Sequence, residues 1–229
     1  MALTEGDILP WVTTLLFDAT NVRWPVSELR FWLNDGQFRI AGLKVDSCSA
    51  KRVITLVPGV WQTIPSDCWL LLDVISNVPA SSNSIGKGVR LCQLETLNAY
   101  SPTWPTDPAS ATVDNYCYDE RKPSNFIVYP PVNSTDTVNV AGYFAVYPTA
   151  TTTGTDTLSI GDYYAPMLID YILWRAFSKD AGIPNSMARA QMYMQSFNTG
   201  MQIQSKARLI ESPNTSSEGG TPPKALRAM

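Results

Sequence analysis

The hydrophobic period of this chain changes twice, and that restricts its fold more than any single motif does. Near both ends apolar residues recur at spacings of three and four. In the middle they form short β-branched runs cut by proline and glycine. Helical and extended periods require different partners for burial, so the elements must segregate.

Thr4 to Asp18 predicts a first helix, with Ile8, Trp11, Val12, Leu15 and Leu16 at helical spacing and Thr4 capping alongside Asp7. A second helix follows Pro25, which suits a first helical position. Val26, Leu29, Leu33 and Ile40 share one face with Trp32 beside them, and the helix ends near Ala41 or Gly42. The short connection predicts an antiparallel helical pair.

After Asp46 the chemistry shifts. Val53 to Val57, Pro58-Gly59, then Val60 to Ile64 predicts a β-hairpin. Trp69 to Val78 fits strand or helix by periodicity alone, and its Val and Ile content favours strand. Pro79 to Gly88 predicts a loop, Leu91 to Tyr100 a short helix and Ser101 to Ala111 an irregular stretch. Two strands follow, Phe126 to Tyr129 ending at Pro130-Pro131 and Val138 to Tyr147 ending at Pro148; Ala150 to Thr157 is a Thr-rich loop.

Helical spacing returns in Tyr163 to Lys179, with Tyr164, Met167, Tyr171 and Trp174 on one face and Asp162 as the expected N-cap. Apolar residues cover most of its circumference, which predicts a central place in a bundle. Asn185 to Leu209 predicts a long helix with a narrow seam of Met187, Ala190, Met194, Phe197 and Met201. Ser212 to Met229 is a tail whose composition builds no core.

The expected fold class is therefore α+β: a helical bundle from N- and C-terminal helices, an inserted antiparallel β-rich subdomain and an extended C-terminal tail. The divisions fall at 1–46 for the helical pair, 47–157 for the β-rich insertion, 158–211 for the helices completing the bundle, and 212–229 for the tail.

Composition narrows the function. Charged residues make up 16% of the chain, against roughly 25% in ordinary soluble domains, which leaves uncharged surface of the kind buried between subunits. Net charge is −3, so no global basic field draws in nucleic acid, although DNA sliding through a channel needs none. The chain has no histidine, which removes Ser-His-Asp triads, Cys-His dyads and most zinc sites. Cys48, Cys68, Cys92 and Cys117 form no close pair in sequence and read as buried free thiols. No cofactor or metal is expected. The first ten residues lack a basic n-region and do not resemble a signal peptide. No apolar run reaches about 18 residues, so no membrane partner is expected.

Catalytic pairs are conceivable in Asp67 with Asp73, Asp162 with Asp170, and Asp119 with Glu120. Each carboxylate also has a plain role, beside a turn, as a cap or in a solvated charge cluster, and the reading is non-enzymatic. Ser84 to Gly88 lacks the spacing of a phosphate loop. Among the aromatics, Trp11, Trp32 and Trp174 fall in helical patterns and are expected in the core. Trp61, Trp69 and Trp104 are freer to line an interface.

Four segments together resemble the head-to-tail adaptor (connector or neck) proteins of tailed phages, chiefly the short-tailed type. The first holds Trp24-Pro25, Glu28-Leu29 and Trp32 to Gln37. The second holds Leu56 to Gly59, Gln62 to Cys68, Leu71 to Val74 and Asn77. The third is Phe126 to Pro131. The fourth runs from Leu158 through Asp162, Tyr164, Pro166, Asp170-Tyr171 and Arg175-Ala176 to Ala181. The segments occur in order over most of the chain, and Pro79 to Ala111 departs from the pattern.

The resemblance implies a structural virion protein of the neck, made in the host cytoplasm. It implies a homo-oligomeric ring, commonly of twelve subunits, between the portal protein and a tail nozzle or tail-tube protein, with genomic DNA passing through the lumen without sequence-specific binding. It also implies that the C-terminal extension docks on the portal, with Leu226 and Met229 as apolar anchors, Lys224 and Arg227 pairing acidic groups, and Pro222 and Pro223 within the same contact. The alternative readings are a β-rich, tail-associated module that binds host glycans through its Trp residues, and an enzyme such as a glycoside hydrolase.

Overall fold

The computed structural model describes residues 2–79, 84–119, 121–180, 182 and 184–211. Helices stand at both ends of the chain and strands between them, an α+β architecture that matches the expected class. The chain separates into two compact units. One gathers residues up to Gly36, the loop Thr151–Leu158 and residues from Asp162 on. The other holds Gln37–Ala150 and Ser159–Gly161.

In the first unit, α1 (Glu5–Leu15), the first part of α2 (Val26–Leu43), α4 (Ala165–Lys179) and α5 (Ser186–Glu211) assemble around α4. Leu168, Ile172, Leu173 and Ala176 of α4 are buried, as its broad apolar circumference requires. α4 packs along α5 and against α1. Ala190, Phe197 and Met201 form the buried seam of α5, while Met187 at its start is exposed.

Gly36 lets α2 approach α4 closely. A β-carbon there would lie 2.6 Å from Leu168 Cδ1 and 3.0 Å from Tyr171 Cδ1. A buried ion pair joins the first two helices: Arg30 Nη2 lies 2.7 Å from Glu5 Oε1, with the Glu5 side chain almost wholly enclosed. Thr4 caps α1 as expected, its N–H and hydroxyl both donating to Asp7 Oδ2 at 2.9 and 2.7 Å.

Asp162, the expected cap of the helix after the Thr-rich loop, has another task. That helix begins with a short 3-10 turn, Asp162–Tyr164, and α4 proper starts at Ala165. The Asp162 carboxylate accepts the N–H of Leu3 instead, at 3.0 Å. The Thr-rich loop is also tied down. Asp156 accepts the backbone and side-chain donors of Thr152 and Thr153, and Gly154 O receives the N–H of Gly6.

The second unit is built on two sheets. β1 (Ser49–Thr55), β7 (Asn139–Val146) and β3 (Cys68–Val78) form one in the order β1-β7-β3. β2 (Gly59–Thr63), β6 (Asn125–Val132), β5 (Asn115–Tyr118) and β4 (Arg90–Leu91) form the other. All pairings are antiparallel except β4 with β5. Leu71, Val74, Val140 and Phe144 from the first sheet meet Tyr116, Phe126, Val128 and Val132 from the second in one core. α3 (Leu94–Tyr100) lies beside a smaller cluster of Leu97, Trp104, Cys117 and Ile127.

The hairpin expected around Pro58-Gly59 does not form. β1 pairs with β7 and β2 with β6, so the turn carries the chain from one sheet to the other. Gly59 adopts φ +104°, a region that excludes most side chains. Buried Gln62 closes the turn, accepting from Val57 N and donating to Val57 O, both at 2.8 Å. Backbone groups satisfied by a side chain leave no need for the two flanking strands to pair with each other.

β6 also outruns its expected end and passes through Pro130-Pro131 to Val132. Between the pairs Gly59–Val132 and Trp61–Ile127 the register shifts, so the prolines sit in a bulge where no ladder N–H is required.

Two core assignments reverse. Trp11, placed in the core by helical spacing, is 51% exposed on α1. Trp104, placed at an interface, is buried and donates its indole N–H to Asn98 Oδ1 at 2.8 Å. Trp32 is buried as expected, and Trp174 is half-buried. No helix among the described residues is long and apolar enough to cross a membrane.

Candidate interaction surfaces

The residues expected to grip the portal, Pro222, Pro223, Lys224, Leu226, Arg227 and Met229, lie outside the described residues, as does the whole 212–229 segment. Two surface features within the described residues bear on contact with partners, one in each unit.

The second unit carries a 720 Å³ groove on its four-stranded sheet, lined by Trp61, Leu94, Tyr118, Arg121, Lys122 and Phe126 among others. The edge strand β2 presents Trp61 there, 64% exposed. The turn after β5 supplies the charges. Arg121 Nε and Nη2 each donate to Asp119 at 3.0 Å, and these hydrogen bonds hold the Asp119 carboxyl below its ordinary range. Beneath lie Cys117 and its neighbour Cys92. Burial first, then Cys92, pushes the Cys117 thiol up to about 11, so it stays protonated and unreactive. All four cysteines are free thiols, and Cys92 alone is partly exposed.

The first unit carries a smaller notch of 250 Å³. The chain leaving α1 turns sharply at Phe17 (φ +55°), whose ring is 94% exposed, and again at Asn21 (φ +53°). Asp18 accepts the backbone N–H groups of Val22, Arg23 and Trp24 and so fixes this corner. Trp24 is thereby held edge-on to Phe177 of α4, with ring centroids 6.4 Å apart. Phe177 in turn stacks on Tyr193 of α5. The Arg23 guanidinium lies 4.7 Å over the Trp24 ring and reaches Asp180 at 2.7 Å, and Arg189 lies over Phe177.

The paired carboxylates of the sequence have separate partners. Asp67 bridges to Arg52, Asp73 accepts the Tyr116 hydroxyl, Asp170 accepts from Ser196, and Asp162 accepts from Leu3. Glu120 lies outside the described residues. Among the described residues no cluster of acidic and thiol side chains is arranged to hold a metal ion. In the segment Ser84 to Gly88, Lys87 pairs with Asp114 at 2.6 Å, and Gly86 N donates to Asn77 O. Its backbone and its cation are therefore engaged within the fold.

The notch escaped the sequence because two stretches far apart in the chain, Leu15 to Trp24 and Phe177 to Arg189, build it. The one available signal was Phe17, an aromatic residue just past the end of the first helical pattern. The groove escaped because β5, with the sequence Asn-Tyr-Cys-Tyr, is too short for alternation to show.

Exposed aromatic residues stand on both units, Trp11 and Phe17 on one and Trp61 and Tyr100 on the other, the residue type enriched where proteins meet. The family model of the SU10 adaptor protein matches residues 4–217, and the chain belongs to that family of phage head-to-tail adaptors. No curated protein matches the chain.

Proposed function

We propose that this phage structural adaptor works as a ring of identical subunits seated between the portal and the tail, catalysing nothing and letting DNA pass through its lumen. The observation that carries the reading is the family match over residues 4–217. Low charge content and exposed aromatics on both units support it, because a closed ring needs two different faces of one chain to be buried on each neighbour.

In that assembly the helices of 1–46 and 158–211 make the lateral contacts, and the β-rich insertion of 47–157 faces the tail proteins. The 212–229 segment reaches the portal. Leu226 and Met229 bury their side chains there, Lys224 and Arg227 pair with acidic groups, and Pro222-Pro223 stiffens the approach. Ordering such a segment only on its partner ties affinity to assembly. The protein resides in the virion neck.

The test is negative-stain microscopy of the purified chain with portal, and again after deletion of 212–229. The full chain should decorate the portal as a ring. The shortened chain should keep its circular dichroism spectrum and fail to bind. Normal portal binding by the shortened chain would remove the docking role.

A further inference from the structure

We infer that the notch beside α1 is a binding site for an acidic side chain flanked by apolar residues, presented by a partner protein. The inference concerns one chain alone and stands whether or not copies form a ring.

Its wall offers donors and cations within a single 250 Å³ recess. Arg189 makes no ion pair among the described residues and is held over Phe177, its Cζ 5.6 Å from the ring centroid. Arg23 is held over Trp24 and spends one Nη on Asp180. A guanidinium has five donors, so an arginine fixed on an aromatic face keeps others for an incoming carboxylate.

The second observation is independent of these charges. Trp24 lines the notch, is only 4% exposed, and its indole N–H has no acceptor. Buried donors are paired in nearly all folded proteins, so an unpaired indole N–H, itself closed to solvent, on a residue of a recess that also holds two arginines marks a place where an acceptor is missing. The recess also receives the first turn of α5, at Asn185 and Ser186, where the helix dipole favours negative charge.

The rim decides which anion. Leu15, Leu16 and Phe17 form one side, with the Phe17 ring almost fully in solvent. A phosphate backbone gains nothing from that apolar lip, and the chain has net charge −3. A glutamate or aspartate next to a leucine or phenylalanine satisfies both the lip and the arginines.

The test follows the Trp24 indole N–H in the ¹⁵N spectrum of the full chain, assigned with Trp24→Phe. The probes are the blocked peptide acetyl-Leu-Glu-Glu-Phe-amide, inorganic phosphate and a short oligothymidylate. The peptide should shift the resonance and saturate. Arg189→Ala, at an exposed position that leaves the fold alone, should weaken that response at least about tenfold. Phe17→Ser should weaken the peptide response and leave any phosphate response as it was. The inference is overturned by a Trp24 resonance unmoved up to about 10 mM peptide, by equal binding in Arg189→Ala, or by oligothymidylate acting at lower concentration than the peptide.

Discussion

Asn77 shows how much one buried amide can fix. Its Nδ2 donates to Lys87 O at 2.9 Å and Val113 O at 2.7 Å, and its Oδ1 accepts from Val113 N at 2.8 Å. Three backbone groups from two segments meet on one side chain; removing it leaves the buried N–H and C=O of Val113 unpaired, while Lys87 O keeps the bond from Asn77 N at 2.8 Å. Asn77→Ala should cost about 2–4 kcal/mol in chemical denaturation, from a penalty of roughly 1–3 kcal/mol per orphaned group with partial relaxation. Tyr116 is a second such residue. Burial, then its hydrogen bond to Asp73, pushes the phenol up to about 12. A raised pKa means that the folded state keeps a proton the unfolded chain loses from about pH 10 upward. Its contribution to stability is therefore intact below about pH 10 and lost as pH climbs toward about 12. Melting temperatures should fall across that window, and Tyr116→Phe should fall less steeply than the parent.

The elements divide into those legible from sequence and those that are not. α4 declared itself because apolar residues fill its circumference, and β7 because its apolar residues alternate in part and stop at Pro148. β3 was ambiguous for a physical reason: its register against β7 shifts three times, and each shift breaks the alternation that would mark it as a strand. The false hairpin arose because Pro58-Gly59 specifies a turn but not what the flanking strands pair with; Gln62 decided that. Gly36 marks an element contact that spacing cannot reveal. Gly36→Ala would drive a methyl into Leu168 and Tyr171 of α4, and should destabilise the helical unit by about 1–3 kcal/mol, read by thermal melting. Its helix propensity alone would predict the opposite sign, a gain of up to about 1 kcal/mol.

At the scale of the whole molecule the class was legible and the surfaces were not. Segregated helical and extended periods announced α+β, and segments spread over most of the chain carried the likeness to head-to-tail adaptors. The notch and the groove depended on side chains brought together by folding, and Trp11 and Trp104 exchanged their expected places. The proposed assembly would cover Trp11 on α1 and Phe17 just beyond it, both exposed on the single chain. Phe17→Ser, at a position already 94% exposed, should leave the stability of the isolated chain within about 1 kcal/mol of the parent by thermal melting while lowering its incorporation into particles.

The most direct measurement is electron microscopy of particles from an infection in which this chain alone is withheld and then resupplied. Heads should accumulate without tails and without retained DNA, and resupply should restore both. Full, tailed particles assembled in its absence would contradict the adaptor role outright.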